Sequence, residues 1–258
     1  MTGSAPQDRR AGGLGYRLVG RYHAAASNRR ACTLVERTAL VIVPSPPASR
    51  VILHQVSWQT YQGLLRDHES RSTPRFAYDN GTLEIMTPLP DHEQYSRFIE
   101  FLLAVVEEET GTKVYNFGST TFSREDLQKG FEADTCFYIA HASHVRGKPR
   151  LDLHTDPPPD LVVEIDITHP SLEKLPIYAQ IGVPEVWRYA AGRMEILLLE
   201  GDAYRPAPQS RAVPVVTTAA LSRLVDESTG LSQGEWLRQV RAWLHGGTGI
   251  GGKENARS

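Results

Sequence analysis

Lysine is nearly missing from this chain, with 5 residues against 23 arginines in a length of 258. Such a bias is of the kind that genomic base composition imposes, and it makes each remaining lysine conspicuous. Cysteine is scarcer still, and Cys32 and Cys136 alone make neither a disulfide framework nor a zinc site. No apolar run approaches the ~20 residues of a membrane span; the longest, around Ile99–Val106, is interrupted by charge. No Gly-rich phosphate loop follows a strand pattern, which speaks against nucleotide-driven chemistry. Collagen, coiled coil, membrane protein and disulfide-stapled mini-domain are thereby excluded. What is there, 40% apolar and 22% charged residues, suffices for a globular core, and a soluble, cytoplasmic protein is expected.

The net charge of −2 hides an asymmetry. Residues 1–50 carry eight arginines, no lysine and two acids, whereas residues 51–258 carry 20 basic and 28 acidic side chains. An Arg-rich, acid-poor start suits a transit segment, a nucleic-acid arm or a disordered extension. We expect residues 1–50 to be a basic, disordered extension. Residues 51–245 should form one α/β domain, and 246–258 a flexible Gly-rich tail.

Within the domain, Ser57 has the position of an N-cap for a helix through Trp58, Tyr61, Leu64 and Leu65. Asp79-Asn80-Gly81 between two strand-like runs reads as a hairpin turn, because Asn and Gly accept positive φ cheaply. Asp91 and Gln94 make a capping box for a helix whose stripe is Tyr95, Phe98, Ile99, Leu102, Leu103 and Val106; Gly111 ends it. Phe131–Ile139 alternates as one strand, with Glu132, Asp134, Cys136 and Tyr138 on a common face. Leu161–Ile167 is nearly all apolar, as a central strand covered on both faces would be.

That central strand carries an anomaly: Glu164 and Asp166 share the face of Val162. Carboxylates on a buried face are costly unless a cation or partner compensates them. If the neighbouring strand pairs with it, Asp134 comes near Glu164, and converging acids of this kind hold hard divalent ions. A salt bridge from one of the many arginines would serve equally well. Lys174, ten residues after Glu164 at the start of the next helical segment, is the second anomaly. An ammonium beside carboxylates orients a water or stabilises charge developing on a phosphate.

These residues resemble a known family. Glu132-Ala133-Asp134, the run Pro157–Thr168, Lys174 with Tyr178, Gly182–Tyr189, and Pro88–Glu93 are together similar to the Uma2 family of restriction-endonuclease-like proteins. The resemblance covers about residues 51–245. It implies a PD-(D/E)xK nuclease core, a mixed β-sheet flanked by helices, here with an N-terminal helix-hairpin addition. It also implies that Asp134 and Glu164 are the motif's metal-binding acids. The lysine usual two positions after the second acid is absent, since Asp166 stands there; Lys174 matches the lysine that the family places on the following helix. Glu93 matches an assisting acid on the first core helix, with Glu84 behind it. The implied activity is endonucleolytic hydrolysis of phosphodiester bonds with Mg²⁺ or Mn²⁺, on nucleic acid, DNA before RNA. A catalytically inactive scaffold on the same fold is the alternative.

Other features are weaker. His141 and His144 lack further ligands to complete a metal site and read as loop residues. Arg146, Lys148 and Arg150 form a modest basic loop suited to a nucleic-acid backbone. Met194–Leu199, or the helix with Trp236, Val240 and Trp243, would offer a homodimer edge.

Overall fold

The computed structural model describes residues 49–69, 71–88, 90–166 and 172–247. The expected basic extension and Gly-rich tail therefore lie almost wholly outside the described residues, as do the side chain of Asp91 and the end of the Leu161–Ile167 run.

An edge strand, β1 (Ser49–Leu53), leads into α1 (Trp58–His68), where Ser57 caps the first turn by accepting from the Thr60 N–H at 3.2 Å. The hairpin β2 (Arg75–Asp79) and β3 (Thr82–Thr87) turns at Asn80 and Gly81, both at positive φ (43° and 88°), as that dipeptide predicts. The long helix α2 (Pro90–Thr110) follows, and Gly111 closes it at φ 74°. Four short strands come next: β4 (Tyr115–Gly118), β5 (Thr121–Arg124), β6 (Lys129–Glu132) and β7 (Thr135–Tyr138). After the single turn α3 (Ala142–Val145) come β8 (Leu161–Asp166), α4 (Leu175–Ile181), β9 (Glu185–Ala190), β10 (Arg193–Glu200) and β11 (Ala203–Ala207). Helices α5 (Thr218–Ser228) and α6 (Gln233–Gly247) complete the order.

The strands form two sheets, ordered β1-β3-β2-β6-β5 and β11-β10-β9-β8-β7-β4. All pairs in the first are antiparallel; the second is mixed, its one parallel pair being β8 with β9, joined through α4. Helix α1 lies on the first sheet, where Trp58, Tyr61 and Tyr78 pack ring against ring at 4.8 to 5.4 Å between centroids. The second sheet is covered on both faces. Leu161, Val163 and Ile165 pack with the apolar stripe of α2 and with Leu221, Leu224, Trp236 and Val240 of α5 and α6. Val162, Cys136, Tyr138 and Val186 pack on the other face against Ile177, Tyr178 and Ile181 of α4. The all-apolar reading of β8 is thus accounted for by helices on either side.

Two expectations change. The alternation from Phe131 to Ile139 is not one strand: β6 belongs to the first sheet and β7 to the second, and the chain crosses between them at Ala133-Asp134. Both segments are buried on both faces, so the period-2 pattern runs through the crossing without a break. Nor is Met194–Leu199 a sheet edge, because β10 is paired on both sides and β11 is the outer strand. Trp236 and Val240 are buried in the core and Trp243 packs against it, so that helix face is intramolecular too. No helix among the described residues is long and apolar enough to cross a membrane.

Candidate active site

The crossing between the two sheets sets up the site. Thr135 pairs with Val163 and Cys136 with Val162, so the same antiparallel register carried one residue further puts Asp134 opposite Glu164. Both fall on the face of β8 that looks toward α4. The expected approach of these two acids is therefore a consequence of the ladder, with the sheet crossing freeing Asp134 from strand pairing.

Each carboxylate oxygen then has a donor. Asp134 Oδ2 accepts from the backbone N–H of Ile165 at 2.6 Å, and Oδ1 accepts from Arg75 Nη1. Glu164 Oε2 accepts from Lys174 Nζ at 2.9 Å, and Oε1 accepts from the Tyr178 hydroxyl. Lys174 precedes α4 and Tyr178 lies one turn into it, so a spacing of four aims both at one carboxylate. Pro176 sits in the first turn of the helix and Gly182, at φ 91°, stops it.

Arg75, at the head of β2 and 5% exposed, reaches across to a second acid: its Nη2 stands 2.6 Å from Glu93 Oε1 on α2. Glu84 on β3 is buried, accepts from the Leu172 N–H at 3.1 Å and faces Arg50 Nε at 3.8 Å. Asp166 and Arg188 complete the wall of a cavity of about 30 Å³, which Glu84, Glu164, Lys174 and Tyr178 also line. Glu93 on α2, Glu164 on β8 and two residues outside any element, Asp134 and Lys174, thus form two bonded groups, Glu93–Arg75–Asp134 and Glu164–Lys174–Tyr178, that act on each other through charge.

Burial raises the Glu164 carboxyl above the usual carboxylate range; Lys174 opposes the shift, while Asp134 and Asp166 add to it. Asp166 moves up for the same first reason, again opposed by Lys174. For Lys174, burial pulls downward, but Glu164 and Asp134 outweigh it and the net shift is upward. The ammonium therefore stays charged between two acids. Burial and the adjacent Glu164 together push the Tyr178 phenol far up, so it keeps its proton and donates to Glu164.

The donor chemistry suits a hard divalent ion, since Glu84, Glu164 and Asp166 line the small cavity and Asp134 falls opposite Glu164 in the strand register. What stands between Asp134 and Glu93 is a guanidinium. Among the described residues no group of three or more His, Cys, Asp or Glu side chains is arranged as a ready metal cage.

The basic loop is not brought to this site as a free cationic patch. Lys148 pairs with Asp156, which also lies 3.2 Å from His144 Nε2. Arg150 pairs with Glu69, both well exposed, and Arg146 is exposed just past α3. His141 is held by Asp160 at 2.6 Å, a loop contact as its sequence context suggests. Arg150 does line a polar cleft with Arg66, Arg71 and Thr121, and Glu132 borders both that cleft and a small space beside Arg75 and Lys174.

Arg75 and Tyr178 as Asp134 and Glu164 partners were not anticipated as site residues. For Tyr178 the signal was present, four residues after Lys174 on one helix face. For Arg75 it was faint: an arginine opening the otherwise apolar strand Arg75-Phe76-Ala77-Tyr78.

Comparison with known proteins identifies a family. The model of the Uma2 family, described as "Putative restriction endonuclease", matches residues 58–225. Among solved structures, a protein from Anabaena variabilis ATCC 29413, titled a putative nuclease belonging to DUF820, is 14% identical to this chain. The match covers 67% of this chain and 93% of that one, with a TM-score of 0.40. No curated protein matches the chain.

Proposed function

The chain belongs to the Uma2 family, and from that premise we propose that it is a divalent-metal-dependent endonuclease acting on DNA, with Asp134, Glu164 and Lys174 as its working residues. The observation that carries the proposal is the placement of Lys174 Nζ 2.9 Å from Glu164, with Asp134 on the adjacent strand position. Lys174 and Glu164 line one small cavity, and Asp134 falls opposite Glu164 in the strand register.

In this reading Asp134 and Glu164 hold Mg²⁺ or Mn²⁺, whose chemistry when bound is to polarise a phosphate and make a water acidic enough to attack it. The Ile165 N–H fixes the Asp134 carboxylate, and Tyr178 fixes that of Glu164, so both acids are oriented before substrate arrives. Lys174 is close enough to Glu164 to donate instead to a phosphate oxygen as negative charge gathers there. Arg66, Arg71 and Arg150 along the neighbouring cleft offer contacts to a phosphate backbone, which position a strand without reading its sequence. The test is incubation of the full chain with supercoiled duplex, single-stranded DNA and RNA, in Mg²⁺, Mn²⁺ or chelator. Metal-dependent nicking of duplex DNA is expected; intact substrates in every metal would overturn the reading.

One observation favours a second reading. All four oxygens of Asp134 and Glu164 are already bonded to donors within the protein. A scaffold that had lost its chemistry would keep such a cluster only as an ionic lock between sheet and helix.

A further inference from the structure

We propose that Arg75 is an internal cation that holds Asp134 and Glu93 in place of a divalent ion and leaves when that ion binds. The inference rests on the metal reading above and adds to it a competitor built into the chain. Three observations carry it.

The first is the placement of the guanidinium. Arg75 bonds to both acids at once, Asp134 through Nη1 and Glu93 at 2.6 Å through Nη2. It therefore occupies the space between two carboxylates where a third ligand of a hard cation would have to close. The second is charge. Glu93, Asp134 and Glu164 bring three negative charges, against which Arg75 and Lys174 set two positive ones. A divalent ion in place of Arg75 adds one positive charge to the group, whereas a divalent ion added beside Arg75 adds two and sets like charges against each other in a poorly solvated site. Like charges a few ångströms apart away from water repel strongly, so one of the two leaves.

The third is how the arginine is held. Its Nε is buried and bonds to nothing among the described residues, so the side chain is anchored by hydrogen bonds only at its two Nη ends, by Asp134, one of the acids proposed to hold the metal, and by Glu93. Nothing else in its bonding would be lost on departure, and one bonding deficit would be relieved. The way out is also present: Arg75 is almost fully buried, but the Glu93 side chain is 45% exposed and marks the solvent side of the bridge. On leaving, Arg75 would swing toward the surface near Glu93, where a substrate phosphate is a natural acceptor for a planar, two-pronged donor.

The experiment is Mn²⁺ binding to the full-length protein, followed by the loss of the free-ion electron paramagnetic resonance signal. It compares the wild type, Arg75→Gln and Arg75→Lys, each with its fold checked by circular dichroism. Gln keeps a polar group beside Asp134 and removes the charge. Arg75→Gln should bind Mn²⁺ roughly tenfold or more tighter, the least expected from removing one like charge at this range, and Arg75→Lys should stay near wild type. If the wild type binds Mn²⁺ and Arg75→Gln binds no tighter, Arg75 is not a competitor, while the metal site itself stands. If folded proteins of all three kinds bind none, the metal reading falls and this inference with it.

A second measurement needs no substitution. In the ¹⁵N spectrum the Arg75 Nε–H should be protected from solvent exchange without Mg²⁺ and lose that protection as Mg²⁺ saturates. An Nε–H that stays protected in the Mg²⁺-saturated protein would overturn the proposal even where Arg75→Gln fails to fold.

Discussion

Lys174 Nζ lies 2.9 Å from Glu164 Oε2, bridging the end of one strand to the start of the helix that follows it. Glu164 is 8% exposed at its side chain and Lys174 13%, so the pair is shielded from water rather than a surface contact. The position two after Glu164 holds Asp166, and the ammonium beside Glu164 comes instead from the residue just before α4.

Breaking such a pair from one side strands a buried charge. Lys174→Met should destabilise the protein by about 3–5 kcal/mol, and adding Glu164→Gln should recover much of the loss. Urea denaturation of the single and double variants measures both. A single-variant cost below about 1 kcal/mol would mean that the pair is solvated like a surface bridge.

Not every buried acid belongs to the site. Glu185 accepts from Trp187 Nε1 at 2.6 Å and from the N–H groups of Arg211 and Ala212 at 2.8 and 2.9 Å. It ties β9 to the loop before α5. Glu185→Ala should cost about 3 kcal/mol or more, because several buried donors lose their acceptor. Its Mn²⁺ affinity should equal that of wild type, which separates this acid from Asp134 and Glu164.

Gly130 and Tyr61 test the packing of α1 on the first sheet. A Cβ at Gly130 would fall 2.1 Å from the Tyr61 hydroxyl oxygen and 2.7 Å from the ring carbon bearing it. Gly130→Ala should destabilise by about 1–3 kcal/mol through overpacking. Tyr61→Phe should relieve only part of that, since the ring remains. Alone, Tyr61→Phe should be neutral or stabilising by about 1 kcal/mol, as its buried hydroxyl bonds to nothing among the described residues. Thermal melts of the three variants decide.

Asp156 anchors the loop between β7 and β8. Hydrogen bonds from the Asp152 backbone N–H and from Lys148, with a further one from His144, hold its carboxyl down at about 2. A depressed carboxyl contributes stability above its unfolded value near 4 and loses it as pH falls toward 2. Asp156→Asn should therefore flatten the fall in stability between about pH 4 and pH 2, and a carboxyl ¹³C titration should place the Asp156 midpoint near 2.

Much of the architecture could be read from local chemistry. The Ser57 cap, the Asn80-Gly81 turn, the α2 stripe and the two faces of β8 all depend on neighbours within a few residues, and all stand where expected. What escaped depends on partners far away. The crossing from one sheet to the other at Ala133-Asp134 leaves no mark, because burial on both sides keeps the alternation intact. The pairing of Asp134 with Glu164 could be foreseen as a strand contact, whereas Arg75 lies 59 residues from Asp134 and meets it only through the sheet. Its charge at the head of an apolar strand hinted at a buried partner without naming one.

Asp134, Glu164 and Lys174 are proposed to form one metal-assisted phosphodiester-cleaving site. The most direct test is nicking of supercoiled DNA by the full-length wild type, Asp134→Asn and Lys174→Ala, at saturating Mn²⁺, with each fold verified. The wild type should convert the plasmid to open circles in a metal-dependent way, and each variant should do so about 10²-fold more slowly or worse, as loss of a group that stabilises the transition state does. Equal nicking by wild type and both folded variants would place the chemistry elsewhere and contradict the account.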